Sequence, residues 1–164
     1  MIAALKFVHI GGLALWCSGL LLLPLLLSRA DNPVRSGEAA RMRVFAHFAY
    51  NFCISPAAVV ATVAGGGLLF ARWVFEPWMF VKLAQVGALV VLHTYLGHCV
   101  ARLGEEGYAR PVVPPPWLIL AGMAVMGGIL FTVLAKPHLD AAIMPDWLRQ
   151  PLNRQLLLPP APSR

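Results

Sequence analysis

Residues 7–27 read FVHIGGLALWCSGLLLLPLLL, a run without a single Lys, Arg, Asp or Glu. A helix rises 1.5 Å per residue and the hydrocarbon core of a bilayer is about 30 Å thick, so this run is long enough to cross it. It outlasts the roughly 7–15 apolar residues of a cleavable secretory signal. Ser28-Arg29-Ala30-Asp31 follows it in place of an Ala-x-Ala site. The reading is a retained first span, from about Ile2 to Leu27.

Three further runs of the same kind follow, over about Val44 to Phe70, Trp78 to Ala101 and Trp117 to Ala135. The charged residues gather between them, in the stretch 28–43, in the link 71–77 and in the loop 102–116. Across all 164 residues 12% are charged and 59% hydrophobic, with a mean hydropathy of +0.72. Soluble domains carry roughly 25% charged residues, so lipid is the expected solvent. The fold class predicted is all-α: an integral membrane four-helix bundle forming one domain over 1–137. A Pro-rich, irregular tail over 138–164 is too broken to span; it is expected on the membrane surface, along a partner protein, or disordered.

The net charge of +6 does not point to nucleic acid, because the thirteen Lys and Arg lie mostly in loops and tail, where they suit lipid headgroups. The 28–43 stretch holds Arg29, Arg35, Arg41 and Arg43 against Lys6 alone before the first span. The positive-inside tendency then makes that stretch cytoplasmic and both termini outer (periplasmic). Cys17, Cys53 and Cys99 all fall in apolar segments and form no CxxC, so they read as small bundle side chains. Pro24 and Pro56 lie inside spans, where each frees a backbone carbonyl.

Ionisable groups within a bilayer are costly and usually face the bundle interior. The informative ones are His9, His47, Lys82, His93 and His98, with Gln85 and Tyr50 nearby. At about 100° per residue, Lys82, Gln85, Leu89, His93 and Gly97 fall in one stripe roughly 120° wide, with His98 nearly opposite. His9 shares a face with Gly12 and Trp16, and His47 and Tyr50 share one with Ala57, Ala61, Ala64 and Gly65. Antiparallel packing places His9 and Lys82 at equal height, both about 9–10 Å from their span midpoints. His93 lies about 5–7 Å beyond the midpoint on the other side, with His47 and His98 further still. Two layers are expected: His9 with Lys82, and His93 with His47 or His98. Neutral imidazole is a usual axial ligand of haem, and a cation can pair with a propionate. Copper is the rival metal for the same histidines, though no Met- or Cys-rich cluster accompanies them.

At these residues the chain resembles the HemJ-type protoporphyrinogen oxidase family and, more loosely, the CopD-like membrane proteins. The matching pieces are Leu5-Lys6-Phe7-Val8-His9, Trp16, Gly19-Leu20 and Leu23-Pro24, then Tyr50 and Ser55-Pro56-Ala57. Lys82-Leu83 and His93 come next, and finally Val133-Leu134-Ala135-Lys136-Pro137. The resemblance implies a helical bundle in a bacterial-type inner membrane that binds haem b. It implies six-electron oxidation of protoporphyrinogen IX, with His9 and Lys82 as the functional pair and His93, Trp16 and Tyr50 beside the cofactor. His9 would be an axial ligand and His93 a second ligand or a proton relay; His47 and His98 are further candidate metal ligands. Leu25 follows Pro24 where that family has Arg, and Pro114-Pro115-Pro116 replaces its Glu-Val-Pro. With the added tail, these departures favour a second expectation: a non-catalytic accessory or assembly subunit of a respiratory complex such as a haem–copper oxidase. Expected partners are the bilayer, quinone or a respiratory-chain complex, and further copies of the chain.

Overall fold

The computed structural model describes residues 2–30, 36–72, 77–103 and 113–135. The tail 138–164, the Lys136-Pro137 ending and most of the loop 102–116 lie outside these residues. The chain forms α1 (Ile2–Ala30), α2 (Ser36–Phe48), a π-helical turn (Ala49–Ile54), α3 (Ser55–Arg72), α4 (Pro77–Ala101) and α5 (Pro115–Ala135). Since α2, the π turn and α3 run on without a break, four helical rods result, each long and apolar enough to cross a membrane. Among the described residues there is no strand. The chain is an all-α, multi-pass membrane bundle.

Two helix starts lie two or more residues before the expected ones, and α1 and α3 run on past their expected ends to Ala30 and Arg72. Residues 36–43, which their charges mark as loop, are the first turns of α2. Glu38, Ala39, Ala40, Arg41 and Met42 are good helix formers, and Glu38 sits in the first turn, where the helix dipole favours an anion. Charge ends a membrane span without ending a helix. Likewise α5 begins at Pro115 rather than Trp117. Proline is accommodated in a first turn because its missing N–H has no intrahelical partner there. The Trp117 N–H instead closes that turn on the Pro114 carbonyl at 3.1 Å.

The first helix is the hub, packing against every other element. Its buried stripe, Trp16, Leu20, Leu23 and Leu27, repeats at helical spacing and meets Ala57, Ala58 and Ala61 of α3, Leu89, Leu96 and Val100 of α4, and Leu118 of α5. The outer faces carry large apolar side chains such as Phe7, Phe52, Val63, Phe70 and Leu134, all well exposed. In water this would be an aggregating surface; in hydrocarbon it costs nothing. Hydroxyls are silenced locally: Thr62 donates to the Ala58 carbonyl at 2.7 Å, and Thr94 and Ser18 bond back one turn in the same way.

The π turn arises from Pro56. Proline cannot donate to the carbonyl of Phe52, four residues earlier, and its ring crowds that carbonyl. The helix widens just upstream, where the Ser55 N–H reaches back five residues to the Tyr50 carbonyl. Widening changes the angular phase, so a single face running from His47 through Tyr50 to Ala57 at a constant 100° per residue does not describe this rod. Ile54 is buried against Gly19 of α1, and Tyr50 turns toward α4.

Close helix approach in lipid depends on small residues. A Cβ on Gly12 would lie 3.1–3.2 Å from the Ala61 backbone, which marks the tight crossing of α1 and α3. At Gly97 of α4 the space a Cβ needs is filled by the Tyr50 hydroxyl. By contrast Gly87, on the same helix, has nothing within 4 Å. Gly97→Ala should therefore destabilise the bundle by about 1–3 kcal/mol through overpacking, while Gly87→Ala should be neutral or stabilising by up to about 1 kcal/mol. Thermal unfolding of the two variants in detergent checks this. Equal melting temperatures would contradict such packing.

Candidate functional site

His9 sits on α1, one turn before the tight crossing with α3. Its Nδ1 lies 2.7 Å from the Ala61 carbonyl oxygen. A carbonyl can only accept, so Nδ1 carries a proton, and in the neutral ring Nε2 keeps its lone pair. The contact is possible because Gly65 stands four residues after Ala61. Side chains on a helix tilt toward its N-terminus, so the residue at i+4 ordinarily shields carbonyl i. A Cβ on Gly65 would stand 2.7 Å from His9 Cε1. Glycine at 65 is thus a condition for the imidazole to reach Ala61. Among the described residues Nε2 has no hydrogen-bond partner.

That nitrogen belongs to a residue lining a cavity of about 550 Å³. The cavity exists because α3 and α4 both pack on α1 but scarcely on one another, leaving a gap between them. His9, Leu13 and Trp16 form its α1 wall; Ala61, Thr62 and Gly65 belong to the α3 wall; Met79, Lys82 and Val86 belong to the α4 wall. Ile129 of α5 also contributes. The lining is mostly apolar with a few converging polar groups, the usual make-up of a small-molecule site. Lys82 is half-buried and, among the described residues, has no anionic partner. An imidazole and an ammonium therefore border one space.

The second set lies deeper. The Trp16 indole Nε1 donates to His93 Nδ1 at 3.2 Å, and Tyr50 Oη lies 3.2 Å from His93 Nε2. Indole can only donate, so Nδ1 is the unprotonated nitrogen and the neutral ring carries its proton on Nε2, toward the phenol oxygen. The Tyr50 hydroxyl in turn faces the His93 carbonyl at 3.4 Å, passing over Gly97. The same device recurs: a polar side chain reaches carbonyl i past a glycine at i+4. The rings also pack, Trp16 edge-on to His93 at 5.9 Å and Tyr50 nearly parallel to it at 5.0 Å. Trp16 lines the cavity as well, so it joins the two layers.

The stripe on α4 faces inward throughout. Lys82 borders the cavity, Gln85 accepts from the Thr132 hydroxyl of α5 at 3.1 Å, Leu89 is fully buried, and His93 and Gly97 meet Tyr50. His98 is exposed and His47 half-buried; neither hydrogen-bonds to nor stacks on His93. The pairing of His93 with His47 or His98 is thus replaced by Trp16 and Tyr50, both nearer in height. Among the described residues no three His, Cys, Asp or Glu side chains come together to hold a bare metal ion, and no disulfide joins any of the three cysteines. Periodicity makes Gly65 merely one small residue of a face, although its place one turn after Ala61 is the signal that matters. No family model, curated protein or solved structure matches the chain.

Gly65→Ala should drive the imidazole off Ala61 and lower stability by about 1–3 kcal/mol, whereas Gly66→Ala, with nothing within 4 Å of its Cβ, should stay within about 0.5 kcal/mol of the parent. Denaturation of both variants in mixed micelles tests the pair. A Lys82→Met change should be neutral or stabilising by up to about 2 kcal/mol, since a desolvated ammonium is removed and no described anion is orphaned. A clear loss of stability would mean that Lys82 serves packing rather than a ligand.

Proposed function

We propose that this chain is a membrane redox protein that binds haem b in the cavity between α1, α3 and α4, where His9 would hold the iron and Lys82 would pair with a haem carboxylate. The observation that carries this reading is the state of His9, a residue that lines the cavity: its Nδ1–H is spent on the Ala61 carbonyl, and in the neutral ring Nε2 keeps a lone pair without a partner among the described residues. A histidine that ligates a metal almost always donates its other N–H to a carbonyl or carboxylate, which fixes the tautomer and raises the basicity of the ligating nitrogen. The contact of His9 Nδ1 with the Ala61 carbonyl supports that role.

The remaining lining suits the same group. A flat tetrapyrrole needs an apolar slot and close access to backbone, and Ala61, Gly65 and Gly66 keep one wall low. Trp16 is fixed by His93, so its indole is a rigid part of the wall. The cation bordering the cavity, Lys82, matches carboxylates carried on one edge of such a ligand. Bound there, haem supplies one-electron transfer; the protein supplies orientation, exclusion of water and the charge beside the carboxylate. The resemblance to HemJ-type enzymes makes a porphyrinogen, likewise carboxylated at one edge, the substrate to try first, with a membrane quinone as electron acceptor.

Full-length protein purified from haem-replete cells should show a Soret band and a b-type α band on reduction. His9→Ala should abolish both, while Lys82→Met should keep the bands but weaken haem retention. A colourless protein that also takes up no added haemin would overturn the proposal. Stoichiometric co-purification of such a colourless chain with a respiratory oxidase would support the accessory-subunit reading in its place.

A further inference from the structure

His93 invites a simple assignment, as a second axial ligand facing His9 across the ring, and its surroundings argue otherwise. Both of its ring nitrogens are taken, Nδ1 by the Trp16 indole and Nε2 by the Tyr50 phenol. It does not line the cavity; Trp16 stands there in its place. Trp16 and His9 are seven residues apart on α1, about 10.5 Å of rise, and Lys82 and His93 are eleven apart on α4, about 16.5 Å. The cavity therefore has its imidazole and ammonium toward one end and Trp16 toward the other, with His93 behind Trp16.

We infer that His93 is a positioning residue: locked in one tautomer between Trp16 and Tyr50, it holds the indole as the fixed inner end of the cavity. The lock is chemical, because an indole N–H has no acceptor capacity. Were the His93 proton to move to Nδ1, two donors would face each other and both would lose their partner in an apolar interior. Nε2–H then needs an acceptor, which Tyr50 provides, and the Tyr50 hydroxyl proton goes to the His93 carbonyl through the opening left by Gly97. Every donor in the chain Trp16–His93–Tyr50 is used once. Such a fully satisfied network rigidifies the side chains it joins. The consequence for the site is that its inner boundary is set from α4 and the π turn, by residues that do not touch the ligand. The haem-dependent part of this inference rests on the reading of the cavity proposed above; the hydrogen-bond part does not.

The two parts are tested separately. In haem-free protein labelled with ¹⁵N, long-range proton–nitrogen correlation should find His93 with Nδ1 unprotonated and Nε2 protonated. The opposite tautomer, or an imidazolium, would overturn the inference without any mutation. Deuterium exchange at the Trp16 indole N–H should be at least about tenfold faster in His93→Leu, the loss of one buried hydrogen bond. It should return toward the parent rate in His93→Asn, whose amide oxygen stands where Nδ1 does. In the haem-loaded protein His93→Asn should leave the Soret position and spin state as in the parent. A changed spin state in that variant, with indole exchange unaltered, would make His93 a ligand and sink the inference. If the loaded protein cannot be made, the proposed function fails while the tautomer and exchange results still decide the role of His93.

Discussion

The structure turns on one hydrogen bond, from His9 Nδ1 to the Ala61 carbonyl at 2.7 Å. In water such a bond would contribute only about 0.5–1.5 kcal/mol net, since either group could bond to solvent instead. Within a bilayer the alternative is an unsatisfied imidazole, so the bond decides where the ring goes. It requires α1 and α3 to cross closely, which Gly12 permits, and it requires carbonyl 61 to be uncovered, which Gly65 permits. The bond also determines the chemistry of the other nitrogen. With Nδ1 committed, Nε2 of the neutral ring keeps its lone pair, on a residue that lines an apolar cavity.

The second polar contact of this kind is built by the same rule on a different helix. Tyr50 reaches the His93 carbonyl past Gly97, as His9 reaches Ala61 past Gly65. In each case a carbonyl already serving its own helix accepts a second donor, which its two lone pairs allow. Polar side chains can thus be buried in lipid without interrupting a helix, at the expense of a glycine one turn later. The two contacts are joined by Trp16, which lines the cavity and donates to His93. The histidines on either side of it differ in supply: among the described residues His9 has a nitrogen left over and His93 has none.

Lys82 gives the cavity its polarity. A half-buried ammonium without an anion among the described residues is a group whose burial needs compensation from something else. The gap between α3 and α4 supplies the room, because α3 is held by α1, and α4 by α5 and α1, rather than by each other. A bundle closed symmetrically around its axis would have filled that gap with side chains. Here the hub arrangement leaves it open.

Much of this was legible in the order of residues. Uninterrupted apolar runs specify four spans, because a bilayer tolerates no other way of satisfying backbone groups over such lengths. The stripe Lys82, Gln85, Leu89, His93, Gly97 is inward-facing for the reason its spacing implies, and counting residues along antiparallel rods puts His9 and Lys82 toward one end of the bundle, where both border the cavity. The start of α2 at Ser36 was not legible from charge, since polarity reports the edge of the membrane and not the end of a helix. Nor were the partners of His93. Residue spacing gives angle and depth on a single rod, but which rods touch depends on where backbone can approach backbone, and on a π turn that rephases Tyr50. Three-dimensional packing assigned Trp16 and Tyr50 to His93 and left the Nε2 of His9 unclaimed among the described residues, because hydrogen bonds between helices are settled by a few ångströms of separation that no periodicity records.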